Sequence, residues 1–138
     1  VSLNEANLHR ATLTGARMVD ADLSGADLSG ANLSSAQMYG VNLRMANLAG
    51  ASLGNAELER ADLTGAKLAG ADVYSAGLNR TVLVNADFSN ADLEAAQLCE
   101  ANIAGATFSG ATLAWTVWSD CRQCTPESVG VCTHFPQR

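Results

Sequence analysis

Four cysteines and two histidines are the side chains here best suited to metal, redox or nucleophilic chemistry, and most of them crowd one end of the chain. Cys121-x-x-Cys124 is followed by Cys132-x-His134, and Cys99 stands alone upstream. Thiolates and an imidazole at such spacings can fill the four positions of a tetrahedral zinc site. The same cysteines can instead pair as disulfides, which persist in oxidising compartments. Against zinc, the four ligands would fall within 14 residues, and two-residue knuckles ordinarily come in pairs. Disulfides are the favoured reading and zinc the competing one.

Acid–base catalysis needs polar groups that converge in a concavity. Asp22, Asp27, Asp62, Asp72, Asp87 and Asp92 instead recur at multiples of five, as a pattern rather than a cluster. His9 and His134 lie at opposite ends of the chain. No Ser-His-Asp or paired-carboxylate constellation stands out, and GxxxxG spacings such as Gly25 and Gly30 belong to the same five-residue pattern. The expectation is a non-enzyme without a cofactor or metal. Fourteen acidic residues against 8 basic ones give a net charge of −6, which argues against direct nucleic-acid binding. No run of 18 apolar residues exists, so no membrane span is expected.

What must position these residues is a repeat. Divided into fives, residues 1–120 give 24 units without an insertion, and the third residue of every unit is apolar, from Leu3 to Trp118. The residue two before this centre is Ala in 20 units, the exceptions being Val1, Val41, Thr81 and Thr116. The residue between them is mostly polar, and it is where the six aspartates sit. A helix would advance the apolar position by about 140° per unit and collect the leucines on no single face. A long strand would send successive leucines to opposite faces. The remaining solution is a chain that turns every five residues, with Ala and the centre inside and the polar residue outside. Four such sides close one square coil, and about six coils stack with strand-like spacing of about 4.8 Å.

The fifth residue of each unit should form the corner. It is Gly or Asn in half of the 24 units, as a type II turn with positive φ at its third residue prefers. Sorted by side, the sides of Leu3 and Leu8 are expected to turn this way. The side of Met18 ends in residues such as Arg60, Arg80 and Glu100, and on it and on the side of Leu13 a corner without positive φ is expected. Arg80 and Glu100 would then stack in adjacent coils as an exposed ion pair.

The motif A-[D/N]-L-x-x, as in Ala21-Asp22-Leu23-Ser24-Gly25, resembles the pentapeptide repeat family, and the likeness covers residues 1–120. The resemblance implies an all-β fold, a right-handed quadrilateral parallel β-helix. A non-catalytic rod for protein–protein interaction or structural scaffolding is the function expected of it, with the partner protein unknown. The alternative the resemblance brings is DNA mimicry, because some family members imitate B-DNA and bind type II topoisomerases such as gyrase. The six aspartates would be the acidic wall in either case, but Arg17, Arg44, Arg60, Lys67 and Arg80 interrupt it.

Periodicity ends at Asp120, and Pro126 and Pro136 cannot continue a ladder. Residues 121–138 are expected to cap the last coil, with Trp115, Trp118, Val129, Val131 and Phe135 as cover and one short helical turn near 126–130. The run from Trp118 and Asp120 through Cys124, Ser128, Gly130 and Cys132 also resembles a tail of some bacterial pentapeptide repeat proteins, which implies a Cys124–Cys132 bridge. Cys99 and Cys121 could then pair, because position 119 stacks over 99 one coil on. Bridged cysteines would favour an extracytoplasmic compartment (periplasm, lumen or secreted), and free thiols the cytoplasm. The chain has no initiator Met and is expected to start inside a longer product, and because Val1 begins in phase with the repeat an end-to-end homodimer is a further expectation.

Overall fold

The backbone register is set by one number. In the computed structural model, which describes residues 1–136, every bridge of the repeat joins residue i to residue i+20 in parallel, from Ser2–Asp22 through Gln97–Val117. The bridging residue is always the one before the centre. Centres donate their N–H to the next coil, as Leu23 does to the Asn42 carbonyl at 2.8 Å. The residue before the centre donates to the preceding coil, as Asp22 does to Val1 at 3.0 Å. At the corners the residue that opens the next unit closes a turn on the centre, as Ala26 N–H does on the Leu23 carbonyl at 3.1 Å. Sides 1 to 4 are those that begin with the centres Leu3, Leu8, Leu13 and Met18.

The interior is the column of centres and alanines. From Ala21 to Leu98 none of these inward residues is more than 3% exposed. Two threonines replace Ala inside, and each satisfies its hydroxyl. Thr81 donates to the Leu78 carbonyl at 2.7 Å and Thr116 to the Leu93 carbonyl at 2.6 Å. Toward the C-terminal end aromatic rings join the aliphatic stack. Phe88 stacks on Phe108 with centroids 5.2 Å apart, and Trp118 meets Phe108 edge-on at 4.8 Å.

The corners correct one expectation. Positive φ is not confined to sides 1 and 2: on sides 3 and 4 it occurs at Ser75 (53°), Ala95 (59°), Trp115 (60°), Asp20 (57°), Arg60 (60°) and Glu100 (62°). A non-glycine residue in this left-handed region costs on the order of 1–2 kcal/mol, and it persists only where its surroundings fix it. Here the ladder fixes it. The N–H of Arg60 donates to Asn79 at 3.1 Å and that of Glu100 to Ser119 at 3.0 Å. A register locked from coil to coil imposes the same corner on all four sides, whatever residue occupies it.

The tail leaves the ladder by reversing. By the repeat, positive φ is due at Asp120, but it falls on Cys121 (63°). Cys121 N–H donates to the Trp118 carbonyl at 2.8 Å, and Trp118 N–H donates to Arg122 at 2.8 Å. This is a hairpin turn followed by a left-handed residue. The chain then runs back antiparallel over sides 4 and 3, through the bridges Val117–Gln123 and Thr112–Val129. Where a helical turn was expected, a single β-turn stands, closed by Ser128 N–H on the Thr125 carbonyl at 3.1 Å. The cover expected over the coil is also corrected. Trp118 packs on the core, but Trp115, Val129, Val131 and Phe135 stay 41–69% exposed. Cys124 (0%) and Ser128 (2%) are the tail residues that are buried instead, because the antiparallel path leaves Val129 facing outward.

Candidate functional site

The six wall aspartates have a structural task. The backbone ladder leaves the N–H of the residue after the centre unpaired by any carbonyl, and where Asp or Asn precedes the centre its side chain supplies the acceptor. Asp22, Asp27, Asp62, Asp72, Asp87 and Asp92 accept that N–H, two residues on, at 2.9–3.1 Å. Asn7, Asn32, Asn42, Asn47 and Asn102 do the same. This is the local side-chain-to-backbone bond that Asx residues favour, and it explains why the position so often holds Asp or Asn. In four units the next residue adds its hydroxyl: Ser24, Ser29, Thr64 and Ser89 donate at 2.5–2.7 Å. The hydroxyls and N–H groups of Ser24, Ser29 and Ser89 hold the carboxyls of Asp22, Asp27 and Asp87 below the usual carboxylate range. For Asp62 the largest influence is partial burial, which raises it, but Thr64 and Arg44 together bring it below.

Stacking of successive coils also gathers a group that the linear order hides. His9 Nδ1 lies 2.7 Å from Ser29 Oγ, and the Ser29 hydroxyl donates to Asp27 Oδ1 at 2.6 Å. All three residue types of a hydrolytic triad are present, but in the wrong order. A nucleophilic serine needs the imidazole to take its proton. Here the serine proton points at Asp27, so the hydroxyl accepts from His9, and the group is a surface hydrogen-bond chain. The one-coil separation between His9 and Ser29 was the signal that could have located it.

The cysteines form two bridges, Cys99–Cys121 and Cys124–Cys132, with Cα separations of 4.4 and 5.2 Å. The first ties the hairpin to side 4, and the second closes the cap on itself. His134 is a latch beside them, with Nε2 3.2 Å from Asp120 Oδ2 and Nδ1 3.2 Å from the Gln123 carbonyl. The zinc reading gives way, since all four thiols are consumed by bridges.

Two recesses lie on the outer walls. One, of about 390 Å³, is on side 4 between Tyr39, Glu59, Arg60, Asn79 and Arg80. The other, of about 430 Å³, is on side 1 beside Asn42, Arg44 and Met45. An ion pair partly neutralises each: Arg80 Nε donates to Glu100 at 2.7 Å, and Arg44 donates to Asp62 at 3.1 Å. Beyond these, the molecule offers outward four sides of regular pitch and a patch of exposed apolar residues where the tail folds back. Glu94, Trp115, Val129 and Phe135 belong to this surface and escape a reading by columns of aspartate, because only the register with the tail brings them together.

A four-sided parallel β-solenoid with a packed interior, patterned walls and a disulfide-tied end defines the class of protein. The repeat called Pentapeptide repeats matches residues 2–44, 46–80 and 76–114, in 8 copies. The chain belongs to the pentapeptide repeat family, whose fold is the right-handed quadrilateral β-helix. Among solved structures it is similar to a pentapeptide repeat protein of the Arabidopsis thaliana thylakoid lumen, at 30% identity and a TM-score of 0.69, over 80% of this chain and 83% of that one. It is similar to Rfr23 of the cyanobacterium Cyanothece 51142, at 28% identity and a TM-score of 0.58, over 75% of this chain and 65% of that one. It is also similar to QnrB1, a plasmid-mediated fluoroquinolone resistance protein, at 25% identity and a TM-score of 0.64, over 80% of this chain and 50% of QnrB1. No curated protein matches the chain.

Proposed function

We propose that the chain is a non-catalytic, rigid module that presents its walls to a partner protein or holds a place in a larger assembly, with residues 1–120 as the solenoid and 121–138 as its cap, the last two of these lying outside the described residues. The observation that supports this reading is the division of labour in the repeat. Interior positions are filled, the Asp and Asn column braces the backbone, and charged residues are confined to outward positions. A rod stiffened in this way keeps its wall residues at fixed spacing, which lowers the ordering cost of binding. Proximity labelling from the intact protein, compared across four variants each altered on one side, tests it. Loss of one labelled partner by one side's variant supports the module. Identical labelling from all four variants and the parent overturns it.

The working compartment is extracytoplasmic in this reading, because two bridges use every cysteine and a similar protein comes from a thylakoid lumen. Alkylation in freshly lysed source cells checks it: modified thiols would put the protein in a reducing compartment.

A second reading rests on the likeness to QnrB1, namely imitation of DNA toward a type II topoisomerase. The cations on sides 1, 2 and 4 weigh against it. A gyrase supercoiling assay decides, since the absence of both inhibition and protection from a fluoroquinolone would remove it.

A further inference from the structure

Side 3 differs from the other three in charge. From Ala11 to Trp115 its units contain Asp72, Asp92 and Glu94 and no lysine, arginine or histidine, whereas every other side carries at least one arginine. Asp72 and Asp92 are neighbours in one ladder column, which continues through Thr112 to Val129 of the tail. Each spends Oδ1 on an N–H of its own side, that of Tyr74 and that of Glu94 respectively. Among the described residues no cation pairs with Asp72, Asp92 or Glu94. Three like charges on two adjacent rungs about 4.8 Å apart are therefore left without a counter-ion among the described residues.

The same side ends in apolar surface. Val129 is 61% exposed, Trp115 41% and Phe135 47%. Trp115 and Phe135 stack on each other at 6.1 Å, and Trp115 is the corner that follows Leu113 on side 3. Single exposed hydrophobic residues are ordinary, but grouped ones with a polar rim mark contact surfaces. Aromatic residues of this kind are also the usual anchors of interfaces. The rim here is acidic, and its charge specifies the sign of the partner.

We propose that the C-terminal half of side 3 docks an extended segment of a partner protein in which a bulky apolar residue is followed by lysine or arginine. The apolar residue rests on Trp115, Phe135 and Val129, and the cations meet Asp92, Glu94 and Asp72. Val129 stands two rungs from Asp92, or roughly 10 Å, which an extended chain covers in about three residues. The anchor and the first cation are thus about three positions apart, with the segment running along the rod axis. Nucleic acid and anionic lipid carry the wrong sign for this surface. The proposal rests on the interaction-module reading and adds the wall and the partner chemistry.

The test uses the intact, disulfide-bonded protein and three short synthetic peptides, followed by fluorescence anisotropy. One peptide has tryptophan or leucine anchors spaced about three residues from lysines. The second replaces each lysine by glutamate, and the third replaces each anchor by serine. The first peptide is expected to bind at least about tenfold more tightly than the other two, and to weaken with added salt. The double variant Asp92→Asn with Glu94→Gln, whose amide oxygen at position 92 still caps the backbone, is expected to lose about tenfold. Trp115→Ala is expected to lose as much, and Asp87→Asn on side 2 nothing. Equal binding of the three peptides, or unchanged binding by the double variant, overturns the proposal. Because the double variant removes charge without removing a cap, it decides even if Trp115→Ala loosens the tail. If proximity labelling instead traces the partner to another side, this proposal falls while the module reading stands.

Discussion

The repeat body and the tail are stabilised by opposite strategies. In the body each bond is one of many identical ones, and neighbouring coils share the load. Arg60, Ala95 and Glu100 can therefore occupy left-handed corners that suit glycine, since the ladder on either side determines their conformation. In the tail each contact is singular. One hairpin, one β-turn, two disulfides and the threonine and serine hydroxyls around Ser128 hold about a coil's worth of chain. Its backbone pairing also reaches sides 3 and 4 only. On sides 1 and 2 of the last coil the N–H groups of Ile103, Gly105, Phe108 and Gly110 meet no backbone carbonyl among the described residues. The difference teaches that regularity tolerates unsuitable residues, whereas a cap of few contacts depends on each of them.

The contrast can be broken most forcefully from inside. Leu58, 1% exposed in the middle of the rod, is expected on change to Ala to cost about 2–5 kcal/mol, read as a lowered midpoint in denaturant. Next comes the cap. Cys124→Ser with Cys132→Ser is expected to lose about 2–4 kcal/mol, confined to the tail. Hydrogen exchange should show Leu113 and Gly130 losing protection while Leu48 and Leu68 keep theirs; uniform loss would mean that the cap and the body form one cooperative unit.

Corners give a smaller effect. A Cβ at Gly50 would meet nothing within 4 Å, so only its φ of +65° opposes a side chain. Gly50→Ala is expected to cost about 1 kcal/mol by thermal melting, and a cost near zero would show that the ladder absorbs the strain entirely. The Asx column is comparable. Asp87→Ala leaves the Ser89 N–H without its acceptor and should cost about 1 kcal/mol, while Asp87→Asn should be nearly neutral at pH 7.

The same column predicts acid sensitivity. Asp22, Asp27, Asp62 and Asp87 titrate below their ordinary value in the folded chain. Each therefore contributes stability that is fully present above the unfolded value of about 3.9 and is lost as pH falls through the lower folded value. Melting temperature should drop below about pH 4, and the drop should shrink in the fourfold Asp→Asn variant. The smallest effect is expected from Arg80→Ala: both partners of the Arg80–Glu100 pair are more than half exposed, so the change is about 0–1 kcal/mol.

Much of this was legible in the chain. Phase kept through 24 units excluded helix and long strand, and it placed Ala and Leu inside and Asp outside. The Arg80–Glu100 rung followed from counting one full coil along the chain. The corners of sides 3 and 4 were not legible, because single-residue preference is a weak guide where the ladder outweighs it. The bracing role of Asp62 or Asp87 was hidden for a related reason: a solvated wall and a column of backbone caps call for the same residue types. His9, Ser29 and Asp27 could be brought together only by applying the register across coils.

The sequence by itself determined the solenoid, since a five-residue period makes every contact of the repeat either local or one coil away, and such contacts can be counted along the chain. Only the tertiary structure decided the end. The tail has no period, and its path depends on a reversal at Trp118–Cys121 and on which side its antiparallel bridges meet. That path leaves Val129, Trp115 and Phe135 facing outward above the acids of side 3. Their juxtaposition comes from packing between segments with no common repeat, and no pattern along the chain encodes it.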